Sequence, residues 1–162
     1  MRNKPLSQRG FTLVELVIAI SIATLVVAAA IAVWFQLTTV SARNSDYMTA
    51  YGQVQNAGYW FSHDAVQITQ EPAPPSGNGF PVTLDWVDWN GGVHQAVYTL
   101  EGAGTLKELR RSGTEGSFLV AQYIDPSSTS CTWDGETHTL EITAKFVERS
   151  ATRTYKVEPR VL

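Results

Sequence analysis

Cysteine is almost absent from this chain: Cys131 is the one copy in 162 residues. No disulfide can form within the chain, whatever the redox state of its compartment. Histidine is nearly as scarce. His63, His94 and His138 stand far apart, without the i, i+4 pair or the close Cys/His spacing that zinc requires. Each is expected to be an exposed or hydrogen-bonded structural residue. The chain has no G-x-S-x-G elbow and no S-x-x-K, which excludes serine nucleophiles of those types. Cys131 lies in Ser127-Ser128-Thr129-Ser130-Cys131, which reads as a polar loop offering a thiol no base. Neither enzyme activity nor a cofactor is expected. With a net charge of -3 and a pI near 5.6, the chain has no basis for broad electrostatic binding of nucleic acid.

Charge is missing altogether from residues 16–35, where Ser21 and Thr24 are the most polar side chains. A membrane-crossing helix needs about 20 mostly apolar residues, and a helix satisfies its own backbone hydrogen bonds in hydrocarbon. Residues 1–9 carry Arg2, Lys4 and Arg9 and no acid. The positive leader is expected to stay cytoplasmic and the chain after Leu37 to lie outside. Glu15 opens the apolar run, one helical turn after Phe11. A carboxylate at membrane depth costs a few kcal/mol and marks a functional position by default. The alternative is that Glu15 sits at the membrane interface, with the apolar core starting at Leu16. Ala28-Ala29-Ala30 offers a weak small-residue cleavage site, but the apolar run continues past it to Phe35.

The stretch Gly10-Phe11-Thr12-Leu13-Val14-Glu15-Leu16 resembles the processing signal of type IV pilins and type II secretion pseudopilins. The shared pattern is a basic leader, a Gly, a Phe, a Glu at the fifth place after the Gly, then an unbroken apolar helix. The resemblance implies that a prepilin peptidase cuts between Gly10 and Phe11 and methylates the new amine of Phe11. It implies that the apolar segment is retained. It also implies that Glu15 of one subunit pairs with the amine of a neighbour in a filament. Two charges about 4 Å apart interact by about 4 kcal/mol at an intermediate dielectric, and either charge alone in an apolar core is costly. The implied partners are the prepilin peptidase, other pilin or pseudopilin subunits, an inner-membrane assembly platform and, before assembly, membrane lipid. Many major pilins close a C-terminal loop with a cysteine pair, and this chain departs from that pattern.

After Leu37 the sequence turns polar without a helix breaker until Pro72. Val33, Leu37, Val40, Asn44, Tyr47, Tyr51, Val54, Gly58, Phe61, Ala65 and Ile68 recur at alternating steps of four and three, as one helix face requires. The spacing predicts an amphipathic continuation over 38–70, giving a helix of about 90 Å from Phe11 at 1.5 Å per residue. Gly52 and Gly58 each weaken it by about 1 kcal/mol relative to Ala. Gly58 falls on the apolar face, where close packing against a sheet explains it. The run from Glu71 to Gly79, with Pro72, Pro74 and Pro75, ends the helix.

Strand signals follow. Phe80, Val82, Leu84 and Trp86 alternate, Asn90-Gly91-Gly92 supplies a hairpin turn, and residues 93–100 return. Gly102-Ala103-Gly104 turns again; 105–111 and 118–124 are shorter candidates. Leu140, Ile142, Ala144 and Phe146 give the clearest alternation, and a last strand is expected over 152–157. The predicted fold class is α+β: a long N-terminal helix packed on an antiparallel meander, pilin-like. The expected organisation is leader 1–10, membrane or filament-core helix 11–37, amphipathic helix 38–70 and exported β domain 71–162.

Asp85, Asp88 and Asn90 superficially suggest a calcium loop. Their spacing is not that of an EF-hand, and a strand ending in an Asn-Gly hairpin accounts for the same residues. Trp86 and Trp89 fall on opposite faces of that strand, so one is a candidate subunit contact. The stretch from Tyr59 to Ile68, where an apolar residue, Asp64 and a small residue close the helix, resembles J-type pseudopilins and PilW-like minor pilins. The function expected on this resemblance is a minor pilin or pseudopilin, assembled into a filament or priming its tip. The alternatives are a signal-anchored exported enzyme or binding domain that never polymerises, and a tip adhesin or DNA-uptake subunit with the same anchor.

Overall fold

The computed structural model describes residues 10–69, 79–114 and 116–160. The chain divides into two compact units, Met1–Ala42 and Arg43–Leu162. One helix, α1 (Leu13–Ala65), begins in the first and ends in the second. Between Gly10 and Gly52 nothing interrupts it, since that stretch has neither proline nor glycine. Thr12 caps its start. The threonine oxygen accepts the Glu15 N–H at 3.3 Å, and the threonine carbonyl takes the first helical bond, from Leu16. The polar side chains inside the apolar part return their hydroxyls to their own helix. Ser21 donates to the Val17 carbonyl and Thr24 to the Ser21 carbonyl, both at 2.8 Å.

The second unit packs the end of α1 on a seven-stranded antiparallel sheet. Its strands are β1 (Val82–Val87), β2 (Val93–Glu101), β3 (Lys107–Gly113), β4 (Gly116–Ile124), β5 (Ser130–Trp133), β6 (His138–Phe146) and β7 (Arg149–Val157). The helix contributes Ala50, Val54, Ala57, Phe61 and Ala65 to the core, and the sheet answers with Leu84, Tyr98, Leu109, Val120, Ile124, Leu140 and Ile142. Gly58 lets the two layers meet. A Cβ there would stand 2.0 Å from the Tyr155 ring, whose hydroxyl donates to the Val54 carbonyl at 3.1 Å.

Three expectations need correction. The buried face of α1 starts at Ala50, one turn later than the periodicity suggests: Tyr47 is exposed and Tyr51 only half-buried. The helix does not continue to Gln70, which lies outside the described residues, but stops at Ala65. Tighter turns bring Gln67 N–H to the Asp64 carbonyl. Thr69 then runs beside β1: its N–H donates to the Asp85 carbonyl, and its hydroxyl oxygen accepts the Val87 N–H. Those contacts draw the chain off the helical path. The proline run from Glu71 also lies outside the described residues.

The third correction concerns the meander, which holds only through β4. One edge of β6 is covered along its length by β7. The other edge is shared. β4 reaches it at Ile124–Ala144, a 3₁₀ turn (Pro126–Ser128) steps aside, and β5 takes over from Ser130–Glu141 to Trp133–His138. β5 takes up Ser130 and Cys131, the end of the Ser127–Cys131 stretch expected to be a polar loop. Its alternation turns Cys131 and Trp133 inward, but four residues of Ser, Cys, Thr and Trp give little hydropathic contrast to read.

Candidate functional site

Gly10, Phe11 and Glu15 stand together at the start of α1. Phe11 is 79% exposed, and Glu15 lies in the first turn, where a carboxylate complements the helix dipole. Every described residue up to Thr38 is exposed. The apolar side chains involved include Leu16, Ile20, Leu25, Ile31, Trp34 and Phe35. This part of α1 is long and apolar enough to cross a membrane, and none of that apolar window is buried within the chain. So large an unbroken apolar surface is not stable in water and marks contact with lipid or with other apolar helices.

The described residues explain neither Gly10 nor Glu15. A Cβ at Gly10 would meet nothing within 4 Å, so the fold does not demand glycine there. The Glu15 carboxylate has no hydrogen bond and no ion pair among the described residues.

A second polar cluster lies inside the other unit, and sequence reasoning found only part of it. Asp64, on the buried face of α1, receives a two-pronged contact from Arg111 of β3. Arg111 Nε donates to Oδ2 at 2.6 Å and Nη2 to Oδ1 at 3.1 Å. Tyr98 of β2 donates to the same Oδ2 at 2.6 Å. The Asp64 and Arg111 side chains are 1% and 8% exposed. Arg111 also faces the rings of Trp60 and Phe118, with its Cζ 5.7 and 5.5 Å from their centroids. The hydrogen bond from Arg111 to Asp64 raises the arginine pKa further, against the cost of burial. Burial, then the nearby Asp64 charge, pushes the Tyr98 hydroxyl far above its ordinary value. Every charge here is matched, so the cluster ties helix to sheet and leaves nothing free for chemistry. The sequence signal for Arg111 was its place two residues after Leu109, on the same inward face.

The histidines take three different roles. His63 lies 3.3 Å from Asp64 and stacks on Tyr59. His94 bonds Asp88 at 3.1 Å and stacks on Trp86. His138 contradicts the expectation of an exposed or satisfied residue. It is 2% exposed, lies between Phe61 and Trp133, and neither ring nitrogen has a hydrogen-bond partner among the described residues. Burial pushes its pKa down to about 4. Cys131 is likewise buried, on β5, and burial pushes its thiol up to about 12, which keeps it protonated and unreactive.

Asp85 lies within β1, and Asp88 and Asn90 lie in the turn that joins β1 to β2. Asp88 Oδ1 accepts the Asn90 and Gly92 N–H groups at 2.8 and 2.7 Å, and Oδ2 faces His94. The His94 contact and these N–H groups hold its carboxyl below the usual range. Asp85 accepts from Gln95. Among the described residues no group of three His, Cys, Asp or Glu side chains is placed to hold a metal. Trp86 is half-buried, and Trp89, in the turn rather than on the strand, is 93% exposed.

Comparison with known proteins bears on the N-terminal segment alone. Residues 6–31 match the family model described as the prokaryotic N-terminal methylation motif. No curated protein and no solved structure matches the chain. Motif, exposed apolar helix and α+β architecture agree that the chain carries the prepilin signal of type IV pilins and pseudopilins, ahead of a pilin-like fold.

Proposed function

We propose that this protein is a minor pilin or pseudopilin subunit. A prepilin peptidase cuts it between Gly10 and Phe11 and methylates the new amine. The mature chain rests in the cytoplasmic membrane by the first part of α1, with the sheet-bearing unit outside. It is then drawn into a type IV pilus-like filament, or primes its tip, through other subunits and an inner-membrane platform. Its role is structural and not catalytic.

The observation that carries this reading is the unpartnered Glu15 four residues after Phe11 on a wholly exposed apolar helix. A carboxylate so placed is stabilised in apolar surroundings only by an opposite charge. A free amine on Phe11 of an adjacent subunit supplies one, and cleavage after Gly10 creates it. The J-type resemblance of the Tyr59–Ile68 stretch supports a minor rather than a major subunit.

Mass spectrometry of the protein extracted from its native membrane tests the reading. The expected mature chain begins at Phe11 and is heavier by one methyl group. A functional chain that keeps Met1 to Gly10 would leave an anchored domain that does not polymerise.

A further inference from the structure

The sheet ends in three strands, the four-residue β5 and the longer β1 and β7, and the outer edges of β1 and β7 differ. The β1 edge is sealed where Thr69 bonds Asp85 and Val87. The β7 edge is open. β7 pairs only with β6, over its full nine residues, and among the described residues no backbone or side-chain group bonds its outer N–H and C=O groups. An open edge of this length is a ready template for another strand.

Charge narrows what that strand is. β7 carries Arg149, Arg153 and Lys156 and no acid. All three are exposed, and none forms an ion pair among the described residues. The other cations of the sheet are occupied. Lys107 bonds the Gly102 carbonyl, Arg110 pairs Glu101 and Glu108, Arg111 pairs Asp64, and Lys145 pairs Asp125. In a chain of net charge -3, the cations of the sheet that lack an ion pair among the described residues lie together along β7, with the Asp134 charge acting on Lys156. Arg149 and Arg153 share the face on which Ala151 and Val157 are buried, and Arg153 stacks 5.1 Å over Tyr51. Lys156 lies on the other face. Glu148 and Glu158 flank the strand at its two ends.

We infer that β7 receives an extended acidic segment of a different protein chain, added as an eighth strand. A second copy pairing through its own β7 would bring the three cations of each strand together, and like charges across a strand pair are destabilising. A second copy offering its β1, whose one acid is Asp85, meets the seal at Thr69. The cations therefore keep copies of this chain apart and select a carboxylate-bearing strand, with acids four positions apart to meet Arg149 and Arg153. The inference is independent of polymerisation, because it rests on the sheet alone.

Fluorescence anisotropy with the full chain in detergent micelles tests it. The probe is a labelled nine-residue peptide of threonine and valine with two glutamates four positions apart. The controls are the same peptide with lysines for glutamates, and the glutamate peptide with alternate backbone nitrogens methylated. The expected result is binding of the glutamate peptide about tenfold tighter than either control, with slowed amide exchange confined to β7. Lys156→Glu, which leaves the Arg153–Tyr51 stack intact, is expected to weaken it, and R149E/R153E to favour the lysine peptide. No binding, or binding that survives backbone methylation unchanged, overturns the proposal, since the second is charge attraction without strand addition.

Discussion

Along α1 the same backbone conformation carries apolar side chains to two different ends. From Leu13 to Val40 the large apolar residues are exposed, Trp34 and Phe35 each at 71%. From Ala50 to Ala65 they recur at helical spacing and disappear beneath the sheet. The first stretch is apolar on every side, which in a helix means burial all round by something. The second is apolar on one side, which needs one covering layer, and the chain supplies it. The polar exceptions follow the same division. Asp64 finds Arg111 and Tyr98 within the fold, whereas Glu15 finds no partner among the described residues. One carboxylate belongs to the subunit's own stability; on the proposed function, the other belongs to an association with a neighbouring subunit.

Glu15→Ala is the sharpest way to break that contrast. Among the described residues the Glu15 carboxylate has no side-chain partner, and its favourable interaction with the helix dipole is confined to the first turn of α1, so membrane insertion and the unfolding midpoint of the sheet-bearing unit should stay at wild-type values. Incorporation into filaments should fall severely, because an interaction of about 4 kcal/mol at an effective dielectric near 20 is removed. Co-purification with sheared filaments, scored by immunoblot, reads the effect. Wild-type incorporation would remove the reason for regarding Glu15 as an assembly residue.

Asp64→Ala should do the reverse, destabilising the subunit by about 3–5 kcal/mol because Arg111 is left buried and unpaired. Urea unfolding followed by near-ultraviolet circular dichroism measures it. Replacing both partners, Asp64→Leu with Arg111→Met, should recover much of the loss, since the charges cost desolvation as well as giving attraction. If the single change is nearly silent, the cluster is not what ties helix to sheet.

His138 gives a pH test on the buried side of the comparison. Burial holds its folded pKa at about 4, below the ordinary histidine value of about 6.5, so the fold prefers the neutral ring. That preference contributes fully above pH 6.5 and is lost as pH falls towards 4. The total is about 3 kcal/mol at 1.36 kcal/mol per pH unit. His138→Phe, of similar shape and without unsatisfied nitrogens, should flatten the stability profile between pH 6.5 and 4. An unchanged slope would assign the acid sensitivity to other groups.

The part of the molecule legible in its sequence is the part governed by local pattern. The processing motif is contiguous, the apolar run is long, the Asn90-Gly91 turn joins β1 and β2, and the alternation from Leu140 to Phe146 lies within β6. What escaped depends on partners distant along the chain. Arg111 reads as one more charge in a Lys-Glu-Leu-Arg-Arg stretch until Asp64, 47 residues away, is placed against it. β5 exists because β4 runs out along β6, and no property of Ser130–Trp133 alone announces that. The end of α1 moved for a similar reason: Thr69 is held by β1, which is formed later in the sequence.

The smallest expected effect contrasts two glycines of α1 six residues apart. Both should weaken an isolated helix by about 1 kcal/mol relative to Ala. At Gly52 a Cβ meets nothing within 4 Å, so Gly52→Ala should recover most of that and stabilise the subunit by up to about 1 kcal/mol. At Gly58 the same Cβ would stand 2.0–2.4 Å from three atoms of the Tyr155 ring. The ring must move, loosening its bond to Val54, and overpacking of this kind costs about 1–3 kcal/mol. Gly58→Ala should therefore be net destabilising, and Gly58→Ala with Tyr155→Leu should recover part of the loss. Opposite signs for one substitution on one helix, read as shifts in the urea midpoint, would place the helix–sheet contact at Gly58. Equal signs would mean that α1 does not approach β7 this closely.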